Sequence, residues 1–246
     1  MHIKGKPFKP EHGENLGYLP EERGLYKKES VLDVMVYFGR LKGFSRQAAK
    51  DWSMTYLDRM ALADKAKIRL DKLSSGEQQK IQLGVTVMNS PELLILDEPT
   101  KGFDPVNRRL LMEIIEEQKK SGATVLMVTH QMEEVERLCD RVIFLKNGQS
   151  EAYGTVEEVQ NLYGGQTIRM TCSGTVPPSQ NYVISRQQPN HVELAINEGA
   201  DQGAILQELL AGGLQVREFT TGKLSLDEVF IRIYGEQDNA ETAAVA

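Results

Sequence analysis

The chain has 246 residues, with 29 basic and 35 acidic side chains giving a formal net charge of −6 and a sequence pI near 5.4. That length allows one large core or two modest ones, 40% hydrophobic with 26% charged residues is a globular composition, and the acidic balance argues against a nucleic-acid partner. Cys139 and Cys172 have neither metal-ligand spacing nor framework density and read as reduced thiols in a cytoplasmic chain, while the longest apolar runs, such as Leu93–Leu96 and Thr124–Val128, are strand-sized, far short of the roughly twenty residues of a membrane helix.

MHIKGKPFKPEHGEN, at the start, is basic without an apolar core, so it does not read as a secretory signal; its Pro and Gly predict a strand end or loop. From Val31 to roughly Ala63 apolar residues fall at helical spacing. Val31, Val34, Met35 and Phe38 form one stripe and Trp52, Tyr56, Leu57 and Met60 another, predicting two helices of a small helical subdomain. Leu73-Ser-Ser-Gly opens a further helix, through Gln78 to about Met88, stopped by Asn89, Ser90 and Pro91. A strand follows at Leu93–Asp97. Asp104-Pro105 is a cap with a first-turn proline, and the helix behind it turns Leu110, Leu111, Ile114 and Ile115 inward. The next strand is Ala123–Val128, and strand, helix, strand in a compact domain requires a parallel pair joined by a right-handed crossover. A short helix at Met132–Leu138 precedes Val142–Leu145 and Gln149–Tyr153, which flank Lys-Asn-Gly and predict a hairpin.

The texture changes near Gln166. Thr167–Cys172, Tyr182–Ser185, Val192–Ile196 and Leu214–Phe219 read as strands, and Ala204–Leu210 and Leu226–Ile233 as helices. The expected division is an α/β domain over 1–160, with its helical subdomain at about 31–90, and a small α+β accessory domain over 166–235. The tail 236–246 is too polar and small-sided to pack and is expected to be disordered.

Ligands of open parallel sheets sit beyond the carboxyl ends of the strands. Asp97 and Glu98 end one strand here and Thr129 and His130 the other. A carboxylate there suits a hydrated magnesium ion, a second can polarise a water for attack on phosphorus, and a histidine can bond the oxygen where charge develops. Each pair alone is usually no more than the start of a loop. The third element is Leu73-Ser74-Ser75-Gly76-Glu77, a turn into a helix whose backbone N–H groups would favour an anion or merely cap the helix. These three elements are expected to converge on one phosphate-bearing ligand.

LSSGEQQKIQL, LLILDEPTKGFDP and LMVTH, in that order, resemble the motifs of the nucleotide-binding subunit of an ATP-binding cassette (ABC) transporter. The resemblance covers about residues 1–155 and implies a partial P-loop NTPase core of ABC type, with ATP and Mg²⁺ as ligands. It places Ser74, Ser75, Gly76 and Glu77 in the signature motif, Asp97 at the end of the Walker B strand on the Mg²⁺ side, Glu98 as general base, Asp104 on the D-loop and His130 as the switch histidine. GYLPEERGLY is similar to the Q-loop region, with Glu21 where a glutamine is usual; a carboxylate can still take a magnesium-bound water. Ser75 and Glu77 also depart from the common signature. With the C-terminal LSLDEVFIRIYG, the pattern looks like the sodium- and drug-export branch. It implies a transmembrane permease partner, a second nucleotide-binding subunit paired head to tail, and a peripheral place on the inner face of the cell membrane.

The family's phosphate cradle, G-x-x-x-x-G-K-[ST], does not occur in these 246 residues. Gly5-Lys6 and Gly222-Lys223 are followed by Pro7 and Leu224, and sixteen residues precede Gly17, where a strand-loop-helix unit takes roughly thirty. The chain is therefore expected to be N-terminally truncated, to hold ATP poorly alone, and to be marginally stable unless another polypeptide supplies the rest. Two readings follow: a truncated ATP-hydrolysing subunit of an exporter, or a non-hydrolytic regulatory or structural half that pairs with an intact subunit. A cassette ATPase of chromosome maintenance or translation fits worse, since there is no coiled-coil insertion, second cassette or basic patch.

Overall fold

A computed structural model describes residues 2–3, 6–7, 13, 15–22, 24–163, 166–197 and 199–235. The tail 236–246 and most of the expected N-terminal loop lie outside these residues; a two-residue antiparallel pair, β1 (His2–Ile3) with β2 (Lys6–Pro7), is described there. The chain forms two compact units, Met1–Gln131 and Met132–Ala246.

The first unit is α/β. Its sheet has the order β3 (Leu16–Leu19), β4 (Leu93–Asp97), β5 (Thr124–Val128), all parallel. The helices are α1 (Val31–Leu41), α2 (Arg46–Arg59), α3 (Ser75–Val87) and α4 (Pro105–Lys120). Each starts where a side chain can take an orphan first-turn N–H: Ser30, Ser45, Ser74 and Asp104 are the N-caps. α4 buries Leu111, Met112, Ile114 and Ile115, with Leu110 only half-buried.

α3 crosses close to β3. A Cβ on Gly17 would lie 2.6 Å from both Leu94 Cδ2 and Thr86 O, and Thr86 Oγ1 donates to Tyr18 O at 3.2 Å. Leu19, Leu94 and Leu96 are fully enclosed on that face. The other face is open. Tyr18, Ile95 and Leu126 share one register row, and Tyr18, Leu126 and Val128 are each more than half exposed. A parallel sheet is ordinarily covered on both faces.

The second unit starts with α5 (Met132–Leu138) and the hairpin β6 (Arg141–Lys146) and β7 (Gln149–Thr155). Asn147 and Gly148 turn it at φ 53° and 76°, the left-handed pair such a two-residue turn requires. Then come α6 (Val156–Tyr163), β8 (Gln166–Ser173), β9 (Tyr182–Gln188), β10 (His191–Ile196), α7 (Gln202–Ala211), β11 (Gln215–Lys223) and α8 (Leu226–Tyr234). The four later strands form an antiparallel sheet in the order β11-β8-β10-β9. Ile168, Met170 and Leu194 on its inner face pack with Ile205 and Leu209 of α7. A second core joins Met132 and Val135 of α5, Phe144 and Ala152 of the hairpin, Val159 of α6, and Leu226, Val229 and Ile233 of α8. The compact units divide between Gln131 and Met132, since α5 and the hairpin share their core with the C-terminal helix. No helix among the described residues is long and apolar enough to cross a membrane.

Candidate active site

Because β3, β4 and β5 run parallel, their carboxyl ends lie together. Glu21 stands two residues beyond Leu19, Asp97 closes β4 and is followed by Glu98, and His130 stands two residues beyond Val128. Glu98 has φ 48°, a left-handed conformation uncommon for a residue with a side chain. Neighbours on three elements hold it there. Its N–H donates to Val128 O at 2.9 Å. Its Oε1 accepts from the His130 backbone N–H at 3.1 Å and meets His130 Nδ1 at 2.8 Å. Gln79 of α3 donates to Pro99 O at 2.9 Å.

This pairing differentiates the two carboxylate oxygens. Oε1 is committed to His130, whereas Oε2 is buried without a hydrogen-bond partner. With Glu98 ionised, Nδ1 carries the imidazole proton and Nε2 is left as an acceptor. The Glu98 side chain is 13% exposed and that of His130 58%, so the acid is sheltered and the ring faces outward.

Glu21 is held differently. Its Oε1 takes the ammonium of Lys101 at 2.5 Å, and this bond holds the Glu21 carboxyl below the usual carboxylate range. Lys101 is placed by a turn in which its own N–H donates to Glu98 O at 3.2 Å. Its ammonium is pushed up first by the Glu21 bond, and also by the charges of Glu98 and Asp97. The expected water-mediated role of Glu21 therefore starts from a carboxylate already engaged by a lysine.

The serine-rich turn stands elsewhere. Ser74 Oγ accepts from Glu77 N–H at 3.3 Å, and Glu77 Oε2 from Ser74 N–H at 2.9 Å, a closed capping box. Lys65 forms an ion pair with Glu77 and, as the largest influence, holds its carboxyl below the ordinary range. Ser74, Ser75, Gly76 and Glu77 line a cavity of about 410 Å³ with Phe103, Asp104 and Asn107. Asp104 accepts from the N–H groups of Val106 and Asn107, both at 3.0 Å, and from Asn107 Nδ2 at 2.5 Å. Bonding by Asn107 holds its carboxyl low.

The structure thus brings Glu21, Asp97, Glu98 and His130 to one end of the sheet. Asp97, Glu98 and His130 are not among the residues lining the cavity of Ser74–Glu77 and Asp104. α3 starts at this cavity and meets the strand-end loops further along, where Gln79 donates to Pro99 O at 2.9 Å and Gln82 to Pro20 O and Glu22 O, both at 3.4 Å. Lys101, Lys65 and Gln79 were not anticipated. Lys101 had a signal, a cation three residues after an acidic pair; Lys65 and Gln79 meet their partners only through tertiary packing. Among the described residues no group of three or more His, Cys, Asp or Glu side chains could hold a metal ion by itself. Neither Cys139 nor Cys172 forms a disulfide, and burial pushes the Cys172 thiol up.

Known proteins resemble this chain in sequence and in fold. Residues 1–101 match the family model described as ABC transporter, and residues 154–234 the one described as ATP-binding protein DrrA1-3-like, C-terminal domain. The chain is 36% identical to the uncharacterized ABC transporter ATP-binding protein YhaQ of Bacillus subtilis, over 94% of this chain and 78% of that protein. It is 28% identical to the daunorubicin/doxorubicin resistance ATP-binding protein DrrA of Streptomyces peucetius, over 89% of this chain and 68% of that one. A solved structure of an ATP-binding subunit of an ABC transporter is similar at a TM-score of 0.55 and 27% identity, covering 61% of this chain and 62% of that chain. With an α/β core ending in Asp97, Glu98 and His130, and relatives of this kind along nearly its whole length, the chain belongs to the family of ABC transporter ATP-binding subunits.

Proposed function

We propose that this chain hydrolyses ATP for an exporter, working against a separate membrane permease at the inner face of the cell membrane. The observation that carries this reading is the Glu98–His130 pair. His130 fixes Oε1, leaving Oε2 buried and unbonded, poised to accept a proton from an attacking water. As the imidazolium, the outward His130 ring would donate Nε2–H to the terminal phosphate while Nδ1–H stays on Glu98, so one residue would both orient the base and sense the nucleotide. The Asp97 carboxylate at the strand end suits a hydrated Mg²⁺ shared with substrate phosphates, with Glu21 as the candidate second carboxylate. When bound, Mg²⁺ would neutralise charge on the phosphate oxygens.

The separate cavity of Ser74, Gly76 and Asp104 supports a head-to-tail pair, in which one subunit's signature turn closes on the nucleotide held at the strand ends of the other. Its capping box spends the Ser74 hydroxyl on Glu77, leaving first-turn N–H groups for phosphate oxygens. The second reading is a non-hydrolytic half serving a complete partner.

Glu98→Gln separates the two. In the chain co-purified with its permease and a second nucleotide-binding subunit, turnover should fall by about 10²–10⁴-fold, the worth of a general base, with ATP binding retained. Unchanged turnover would reject Glu98 as base and leave the non-hydrolytic reading.

A further inference from the structure

Three side chains of α3 grip backbone carbonyls at the strand ends. Gln79, Gln82 and Thr86 are spaced three and four residues apart, which stacks them along one face of the helix. Gln79 Nε2 donates to Pro99 O at 2.9 Å and reaches Glu98 O at 3.4 Å. Gln82 Nε2 reaches Pro20 O and Glu22 O, both at 3.4 Å, and Thr86 Oγ1 donates to Tyr18 O at 3.2 Å. Gln82, Thr86 and Pro99 are buried. The same helix opens at the signature turn, where Gly76, three residues before Gln79, lines the cavity.

The grip falls where the loop holds itself least well. Glu98 has φ 48°, a conformation that persists only where the surroundings enforce it. Lys101 N–H donates back to Glu98 O at 3.2 Å, but position 99 is a proline with no N–H to offer. The donor to Pro99 O comes from outside the loop, on α3. If Glu98 relaxed to an ordinary φ, its carboxylate would swing away from His130 and Oε1 would lose the 2.8 Å contact with Nδ1.

We propose that Gln79 is a positioning residue for ATP hydrolysis: it holds Glu98 in its left-handed conformation and ties that geometry to the start of α3. The proposal deepens the ATPase reading above and rests on it for the role of Glu98. When the first turn of α3 closes on a nucleotide held by the partner subunit, Gln79 carries the ordering of the helix to this chain's own base.

The test uses the chain co-purified with its permease and a second nucleotide-binding subunit. Gln79→Met keeps the side-chain length and removes the amide; kcat should fall by about three- to tenfold, the worth of one neutral hydrogen bond, while KM for ATP stays within about twofold. Gln79→Glu keeps size and polarity but turns an acceptor toward two carbonyl oxygens, and should lower kcat at least as far. Circular dichroism checks that each variant folds, and either one carries the test if the other does not. Combined with Glu98→Gln, neither change should slow turnover further, because a base already removed has no position to lose; a merely structural loss would multiply through. Unchanged kcat, a defect confined to KM, or a full further loss in the Glu98→Gln background would overturn the proposal. If Glu98→Gln abolishes turnover and the Gln79 variants leave it intact, this proposal alone falls; if Glu98→Gln leaves turnover intact, the ATPase reading falls and takes the proposal with it.

Discussion

Gly84→Ala tests how α2 and α3 are packed. In an exposed helix interior this change stabilises by about 1 kcal/mol, since alanine is the better helix former. Here the sign should reverse. A Cβ on Gly84 would lie 2.4 Å from Tyr56 Cε1 and 2.8 Å from Cδ1 and Cζ. The ring cannot step aside easily: it is buried, stacks on Trp52 with centroids 5.2 Å apart, and donates its hydroxyl to Lys80 O at 2.8 Å. Overpacking of this kind costs about 1–3 kcal/mol, and a lost buried hydrogen bond adds about 1 kcal/mol. Less the helix-propensity gain, the net destabilisation should be about 1–3 kcal/mol. The assay is urea unfolding followed by tryptophan fluorescence. Trp52 is the only tryptophan and sits against Tyr56, so the signal reports the first unit without the second. In a Tyr56→Leu background the alanine should be tolerated far better, a coupling expected only of groups in contact. A midpoint unchanged or raised by Gly84→Ala alone would refute the packing argument.

Two further outcomes follow from the first unit. Lys42 donates to Thr86 O, Met88 O and Asn89 Oδ1 at the end of α3, and burial pushes its amine down to about 8. Its unfolded form, near 10.5, binds the proton more tightly, so stability should rise as pH climbs from about 8 to 10.5; unfolding of the parent chain against Lys42→Met across that window checks the sign. The open sheet face should bind an apolar dye, and Leu126→Thr with Val128→Thr should reduce that fluorescence at little cost in stability, since both side chains are more than half exposed. Dye binding that survives the pair would place the apolar surface elsewhere.

What could be read from the sequence was whatever a local rule fixes. β4 and α5 fall on their expected bounds because an apolar run closed by Asp-Glu, and a helical stripe after Thr-His, are complete local signals. α6 was missed although Thr155 and Glu158 form a capping box, Thr155 N–H to Glu158 Oε2 at 2.7 Å and Glu158 N–H to Thr155 Oγ1 at 3.1 Å. β3 was not among the expected elements, and Gly17 in it is glycine because α3 leaves no room for a Cβ. The core that the hairpin shares with the C-terminal helix was not legible for a different reason. Nothing in the hairpin says that Phe144 and Ala152 pack against Val229 and Ile233, more than seventy residues on.

The site divides along the same line. Asp97, Glu98 and His130 were legible because parallel strands deliver their carboxyl ends to one place, a rule of topology that needs no side-chain detail. The charges that balance them were not. Lys101 reaches Glu21 from a separate stretch of chain 80 residues away, and Lys65 reaches Glu77 from twelve away across a change of element. Each sits beside an acid standing where the ABC resemblance implies a neutral glutamine. Two such substitutions, each matched by a lysine that only folding brings near, make the same physical point: a carboxylate beside a phosphate site is tolerated when the fold supplies its cation. Sequence reading can flag the unexpected acid, but only the tertiary structure shows what neutralises it.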